Sequence, residues 1–200
     1  MFRLIVALIV SFMSMTAGAK SIVVLGDSIS AGYGIEVAEG WVALLQKKMH
    51  DNGSDHIFHN ESISGDTTAG GLARIDKALT SHKPDIVVIE LGANDGLRGL
   101  PPQLIKSNLT EIIHHAQNAG AKILLLGMKI PTNYGSRYIN LFYNIYPQLA
   151  TEQHIPYVPF IMEDVALNKE MMQQDQLHPN AKGQAIIADK VWTQLVQLLK

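Results

Sequence analysis

Hydrophobic and polar positions fall along the chain in blocks of two kinds. Short, continuous apolar runs rich in β-branched residues occupy Ser21–Leu25 (SIVVL), Asp85–Leu91 (DIVVIEL) and Lys122–Gly127 (KILLLG). Weaker runs lie at Pro156–Ile161 (PYVPFI), interrupted by prolines, and at His56–Ser62 (HIFHNES). Apolar runs of this length without in–out alternation suit strands covered on both faces, as in parallel sheets. Between them, apolar residues recur at helical spacing: Trp41, Leu44, Leu45 and Met49, then Leu72, Ile75 and Leu79, then Ile105, Leu109, Ile112, Ile113 and Ala116. Pro101-Pro102 and Gly120 bracket the third of these helices. Ile187, Val191, Leu195 and Leu198 mark a last helix, with Asn180 placed to cap it. Tyr138, Phe142, Ile145 and Leu149 share the same spacing and read as core. Strand and helix alternate throughout, which predicts a doubly wound α/β sandwich.

The N-terminus follows a different rule. Arg3 precedes an apolar run from Leu4 to Met13, and Ala17-Gly18-Ala19 closes it before Lys20. A short positive start, an apolar stretch below the roughly 20 residues of a spanning helix, and an Ala-x-Ala end describe a secretory signal peptide. Residues 1–19 are therefore expected to be a cleaved signal, leaving one domain over residues 20–200. The expected location is the periplasm or the medium, with no stable membrane insertion after processing.

Composition narrows the chemistry. The chain has 200 residues, a formal net charge of -2 and no cysteine. The charge balance speaks against a nucleic-acid partner. The missing cysteines exclude a disulfide framework, a thiolate metal site and a cysteine nucleophile. Two histidine pairs, His56/His59 and His114/His115, diverge on their elements, so no metal is expected, nor any other cofactor.

Sites in open parallel sheets form beyond the C-terminal ends of the strands. The first strand leads into Gly26-Asp27-Ser28-Ile29-Ser30, where a serine on a glycine turn can present its hydroxyl and its own N–H. The second leads into Ser64-Gly65-Asp66-Thr67-Thr68, where Gly65 lets backbone approach a ligand. The third leads into Gly92-Ala93-Asn94-Asp95-Gly96, and Asn94 offers a neutral side-chain donor. Before the last helix, Asp175 stands three residues ahead of His178, placed to hold the imidazole tautomer. Each segment taken alone also reads as an ordinary turn or cap.

Taken in order, the four segments are similar to the SGNH (GDSL) hydrolase family, named for Ser, Gly, Asn and His. Those positions fall here on Ser28, Gly65, Asn94 and His178. LGDSISAGYG, SISGDTTAGGLARI, ELGANDGLRGL, NYGSRY, PFIMEDVAL and DQLHPN resemble the bacterial thioesterase I/lysophospholipase (arylesterase) subfamily in particular. The resemblance implies a flavodoxin-like α/β/α fold with a five-stranded parallel sheet and a periplasmic ester or thioester hydrolase. Ser28, His178 and Asp175 would form its triad, and Ser28, Gly65 and Asn94 its oxyanion hole. Glu61 stands where a small residue is expected; facing the site, it would repel acidic substrates. Loops after the third and fourth strands supply candidate substrate contacts at Leu97, Arg98, Ile130, Pro131 and Tyr134. The expected partner is a small acyl ester or thioester bound by a monomer. Two other readings remain open here: a carbohydrate O-acetylesterase on the same scaffold, and a non-catalytic exported binding protein.

Overall fold

A computed structural model describes residues 18–200. The expected signal segment, residues 1–19, lies outside them except for Gly18 and Ala19. Five parallel strands form one sheet: β1 (Ser21–Gly26), β2 (Ile57–Asn60), β3 (Ile86–Glu90), β4 (Lys122–Leu126) and β5 (Tyr157–Val158), in the order β2-β1-β3-β4-β5. The helices are α1 (Ser28–Ala31), α2 (Trp41–Asp51), α3 (Thr68–His82), α4 (Ala93–Leu97), α5 (Pro102–Asn118), α6 (Ser136–Tyr143), α7 (Ile145–Glu152) and α8 (Ala181–Leu198). Helix α3 packs on α5 and α5 on α7, while α2 packs on α8. The sheet is thus enclosed between two helical layers.

The two central strands carry the core. Ile22–Leu25 of β1 and Ile86–Ile89 of β3 have no exposed surface, as expected of strands covered on both faces. The apolar stripes of α2, α3, α5 and α8 face them through Trp41, Leu45, Ile75, Ile105, Leu109, Ile187 and Val191. Asn180 caps α8, its side chain accepting from Lys182 and Gly183 N–H.

Two elements depart from expectation. The run expected over residues 156–161 narrows to the two residues of β5, because Pro156 and Pro159 have no N–H for the ladder. As an edge strand it tolerates them. The stretch from Tyr138 to Leu149 is two helices. Pro147 cannot donate to the Tyr143 carbonyl, so the helical ladder breaks at Asn144. Phe142, Ile145 and Leu149 are buried as expected of core. Among the described residues, no helix is long and apolar enough to cross a membrane.

Candidate active site

The order β2-β1-β3 brings three strand exits side by side, and the loop before α8 closes over them. Space dictates the first exit. A side chain at Gly26 would stand 2.8 Å from the Ser30 side chain and 2.9 Å from Glu90 Oε2, so only glycine fits beneath the turn. Asp27 then caps α1, its Oδ1 accepting from Ile29 N–H at 3.1 Å. This leaves Ser28 as the first residue of the helix, with its hydroxyl pointing out. Buried Gln184 of α8 fastens the turn from behind, donating to Ile29 O at 3.0 Å and accepting from Trp41 N–H at 2.9 Å.

His178 meets that hydroxyl across 150 residues of sequence. Its Nε2 lies 2.8 Å from Ser28 Oγ and its Nδ1 lies 2.7 Å from Asp175 Oδ2. A carboxylate only accepts, so Nδ1 carries the proton and Nε2 is free to receive one from Ser28. Gln176 makes the tight turn between them with φ of 54°. The turn folds the Asp175 carboxylate back onto the N–H groups of Leu177 and His178 at 2.9 and 3.0 Å. Burial works against the Asp175 anion, but these two N–H groups and the imidazole outweigh it and bring its pKa down to about 2. The tilted ring of Tyr33 lies 4.7 Å from the imidazole, on its other side.

The other two exits face the same point. Gly65 has φ of 80°, a left-handed value that suits glycine. Asn94 Nδ2 lies 3.1 Å from Asp27 Oδ2 and 2.9 Å from Asp66 O, so one amide ties the Ser28 turn to the Gly65 loop. Asp95, fully buried, accepts from Thr68 N–H at 2.9 Å and Thr68 Oγ1 at 2.6 Å, clamping α4 to α3. Arg74 of α3 donates to Asp66 Oδ2 at 2.8 Å, to Gly26 O at 3.2 Å and to Glu61 O, joining the first two exits. The three loops are thereby held as one rigid rim.

Ser28, Gly65, Asn94 and His178 line one cleft of about 290 Å³, whose walls include Tyr33, Leu97, Met128, Pro131, Phe160 and Met162. Lys129, Pro131, Phe160, Met162 and Leu177 also line a second groove of about 560 Å³, which carries the cleft outward past Ile130 and Leu167. Of the candidate substrate contacts, Leu97 and Pro131 border the cleft and Ile130 the outer groove. Arg98 and Tyr134 do not. Arg98 donates to Gly65 O at 3.0 Å and Tyr134 Oη to Leu97 O at 2.7 Å, so both brace loops rather than face the cavity. Glu61 is also turned away, its carboxylate 2.6 Å from His82 Nε2. Tyr33, Phe160 and Met162 were not singled out in the sequence. Tyr33 sits inside the LGDSISAGYG segment, and Phe160 and Met162 inside PFIMEDVAL; those segments were the signal available for them.

Among the described residues, no three His, Asp or Glu side chains converge as metal ligands. His59 stacks on His82 at 4.0 Å and His56 Nδ1 accepts from Lys20 N–H at 3.0 Å, so both serve packing.

Comparison with known proteins matches the GDSL-like Lipase/Acylhydrolase family model over residues 24–186. Esterase TesA of Pseudomonas aeruginosa is 48% identical over 183 residues, covering 92% of this chain and 91% of the relative. Thioesterase 1/protease 1/lysophospholipase L1 of Escherichia coli K12 is 44% identical over 183 residues, covering 92% and 86%. The crystal structure of the esterase EstA from Pseudoalteromonas sp., inhibited by monoethylphosphonate, superposes with a TM-score of 0.86 at 42% identity, covering 90% and 98%.

Proposed function

The chain belongs to the GDSL-like lipase/acylhydrolase family, and from that premise we propose that it hydrolyses carboxylic esters and acyl thioesters through an acyl-enzyme on Ser28. The observation that carries this reading is the line Asp175–His178–Ser28, with contacts of 2.7 and 2.8 Å. The relatives named as esterase and as thioesterase and lysophospholipase support the substrate class.

Ser28 Oγ attacks the acyl carbonyl while His178 Nε2 takes its proton, and Asp175 holds the imidazole and stabilises its cation. The developing negative oxygen is assigned to the Ser28 and Gly65 N–H groups and the Asn94 amide, which line the same cleft; one Asn94 N–H turns to it from its resting partner, Asp27 Oδ2 or Asp66 O. His178 then gives its proton to the departing alcohol or thiol. Water enters, loses its proton to His178 and releases the acid, restoring Ser28. None of these steps calls on a metal or cofactor.

The apolar cleft and the groove beyond it favour an acyl chain over an acetylated sugar, which would need a wall of hydrogen-bonding groups. The substrate is a small molecule. Residues 1–19 act as a signal peptide, and the mature enzyme, residues 20–200, works in the periplasm or medium. Rates over p-nitrophenyl esters and acyl thioesters of increasing chain length test the reading. A rise of kcat/KM from acetyl to medium chains is expected; a preference for acetylated sugars would contradict it.

A further inference from the structure

Beneath the Ser28 turn lies a carboxyl group that acyl transfer leaves unused. Glu90 ends β3, pairs in register with Gly26, and has no exposed surface. Its Oε2 accepts from the Ser30 hydroxyl at 2.7 Å and from Asp27 N–H at 3.2 Å. Its Oε1 is buried with no hydrogen-bond partner among the described residues. An anion with one bare oxygen in such a place is strongly disfavoured.

The surrounding groups offer Glu90 no counter-charge. Asp27 approaches from the β1–α1 turn and is itself 1% exposed, while Asp95 of α4 is fully buried. Tyr146 of α7 gives its hydroxyl proton to Leu91 O at 3.0 Å, and Trp41 of α2 gives its indole N–H to Ser30 Oγ at 3.1 Å. Arg74 directs its guanidinium to Asp66, Glu61 O and Gly26 O. His178 lies on the far side of Ser28, engaged with Asp175.

We propose that Glu90 is a positioning residue that works as the neutral acid, buried beneath the nucleophile's turn. The proposal rests on the reading of Ser28 as nucleophile. With Glu90 protonated, Asp27 remains an acceptor for Ile29 N–H on one oxygen and the Asn94 amide on the other. Glu90 Oε2 meanwhile anchors both flanks of Ser28, through Asp27 N–H and Ser30 Oγ. Glu90 thus fixes the nucleophile's turn directly and, through Asp27, the side-chain donor of the oxyanion hole. The balance of forces between the two acids points the same way. Burial, then the charge on Asp27, pushes Glu90 well above the usual carboxylate range. Burial also raises Asp27 to about 6, but the Ile29 N–H and a hydrogen bond from Glu90 favour its anion.

Glu90→Gln and Glu90→Leu separate this role from a merely structural one. Glutamine is likewise neutral, and its carbonyl can accept from Ser30 Oγ and Asp27 N–H, so kcat should stay within about threefold of wild type with an unchanged pH profile. Leucine removes every one of these bonds. Its kcat should fall by up to about 10²-fold at near-constant KM, with fluorophosphonate labelling of Ser28 slowed in step. Thermal unfolding of each preparation checks that the protein measured is folded. Independently of activity, infrared spectra in deuterated buffer at pH 8 should show a carboxylic-acid carbonyl band in wild type that is absent in Glu90→Gln. If Glu90→Leu does not fold, the glutamine variant and the spectrum still decide. A missing acid band, a folded Glu90→Gln with strongly reduced kcat, or a folded Glu90→Leu with wild-type kcat would overturn the proposal while leaving Ser28 as nucleophile. Full turnover by Ser28→Ala would instead overturn the nucleophile reading and the positioning role built on it.

Discussion

Replacing Asn94 with alanine separates a chemical role from an architectural one. In the free enzyme the amide nitrogen sits 3.1 Å from Asp27 Oδ2 and 2.9 Å from Asp66 O. Alanine deletes both hydrogen bonds, each worth about 0.5–1.5 kcal/mol net, so folding should weaken by about 1–3 kcal/mol. For a domain of this size that lowers the melting temperature by roughly 2–12 °C. The catalytic loss should be larger. An oxyanion donor gains strength only as the carbonyl oxygen becomes negative, and its removal typically costs about 10²–10³ in kcat, or roughly 2.7–4 kcal/mol. KM should move little, because the ground-state carbonyl draws less from the donor. The assay is steady-state hydrolysis of a p-nitrophenyl ester well below the melting temperature, alongside thermal unfolding of the same preparation. Ser28 should still react slowly with a fluorophosphonate, since nucleophile and base remain. A variant with lowered melting temperature and near-normal kcat would refute the reasoning and leave Asn94 as a tie between loops.

Asp27 makes stability depend on pH in a definite sense. Its pKa is raised from 3.8 to about 6 on folding, chiefly by burial. The folded state holds that proton longer, so this group's contribution is full below pH 4 and falls as pH rises through 6, by on the order of 3 kcal/mol. The melting-temperature difference, Asp27→Asn minus wild type, should therefore increase between pH 4 and 7; a constant difference would contradict the shift. Gly127→Ala would drive a Cβ into the Pro159 carbonyl, with Val158 O at 2.9 Å. It should cost about 1–3 kcal/mol of stability, read as a lower denaturation midpoint, and an unchanged midpoint would show that β5 and the segment leading to Phe160 can shift freely. Protein recovered from an exporting host should begin at Lys20 by intact mass, and retention of Arg3 with the apolar run would argue for an uncleaved anchor.

Elements buried on all sides were readable from the chain. Ile22–Leu25 and Ile86–Ile89 have no exposed surface, and nothing in their sequence competes with that placement. Ser28, Gly65, Asn94 and His178 were legible as an ordered set: each stands just past a strand or before a helix, where turn chemistry alone is ambiguous, and only their succession resembled a family; the structure brings the four to one cleft. Features set by distant partners were not. Arg98 and Tyr134 stand in the expected loops, but the carbonyls of Gly65 and Leu97 turn them away from the cavity. Phe160 and Met162 enter the cleft because the chain after β5 stays beside the end of β4, Ile161 N–H donating to Gly127 O at 3.2 Å, a placement no local period encodes. Glu90 stands inside the apolar run Asp85–Leu91, where no local pattern marks it out. Its burial follows from the β1–β3 register that sets it beside Gly26.

The central claim is that Ser28 forms the acyl-enzyme, and intact-mass measurement after fluorophosphonate treatment tests it most directly. The account predicts a single adduct on the peptide containing Ser28, formed in step with loss of esterase activity. Ser28→Ala should take up no label, turn over essentially nothing, and unfold at a temperature close to wild type. An adduct mapped to another residue, or substantial turnover by pure Ser28→Ala, would contradict it.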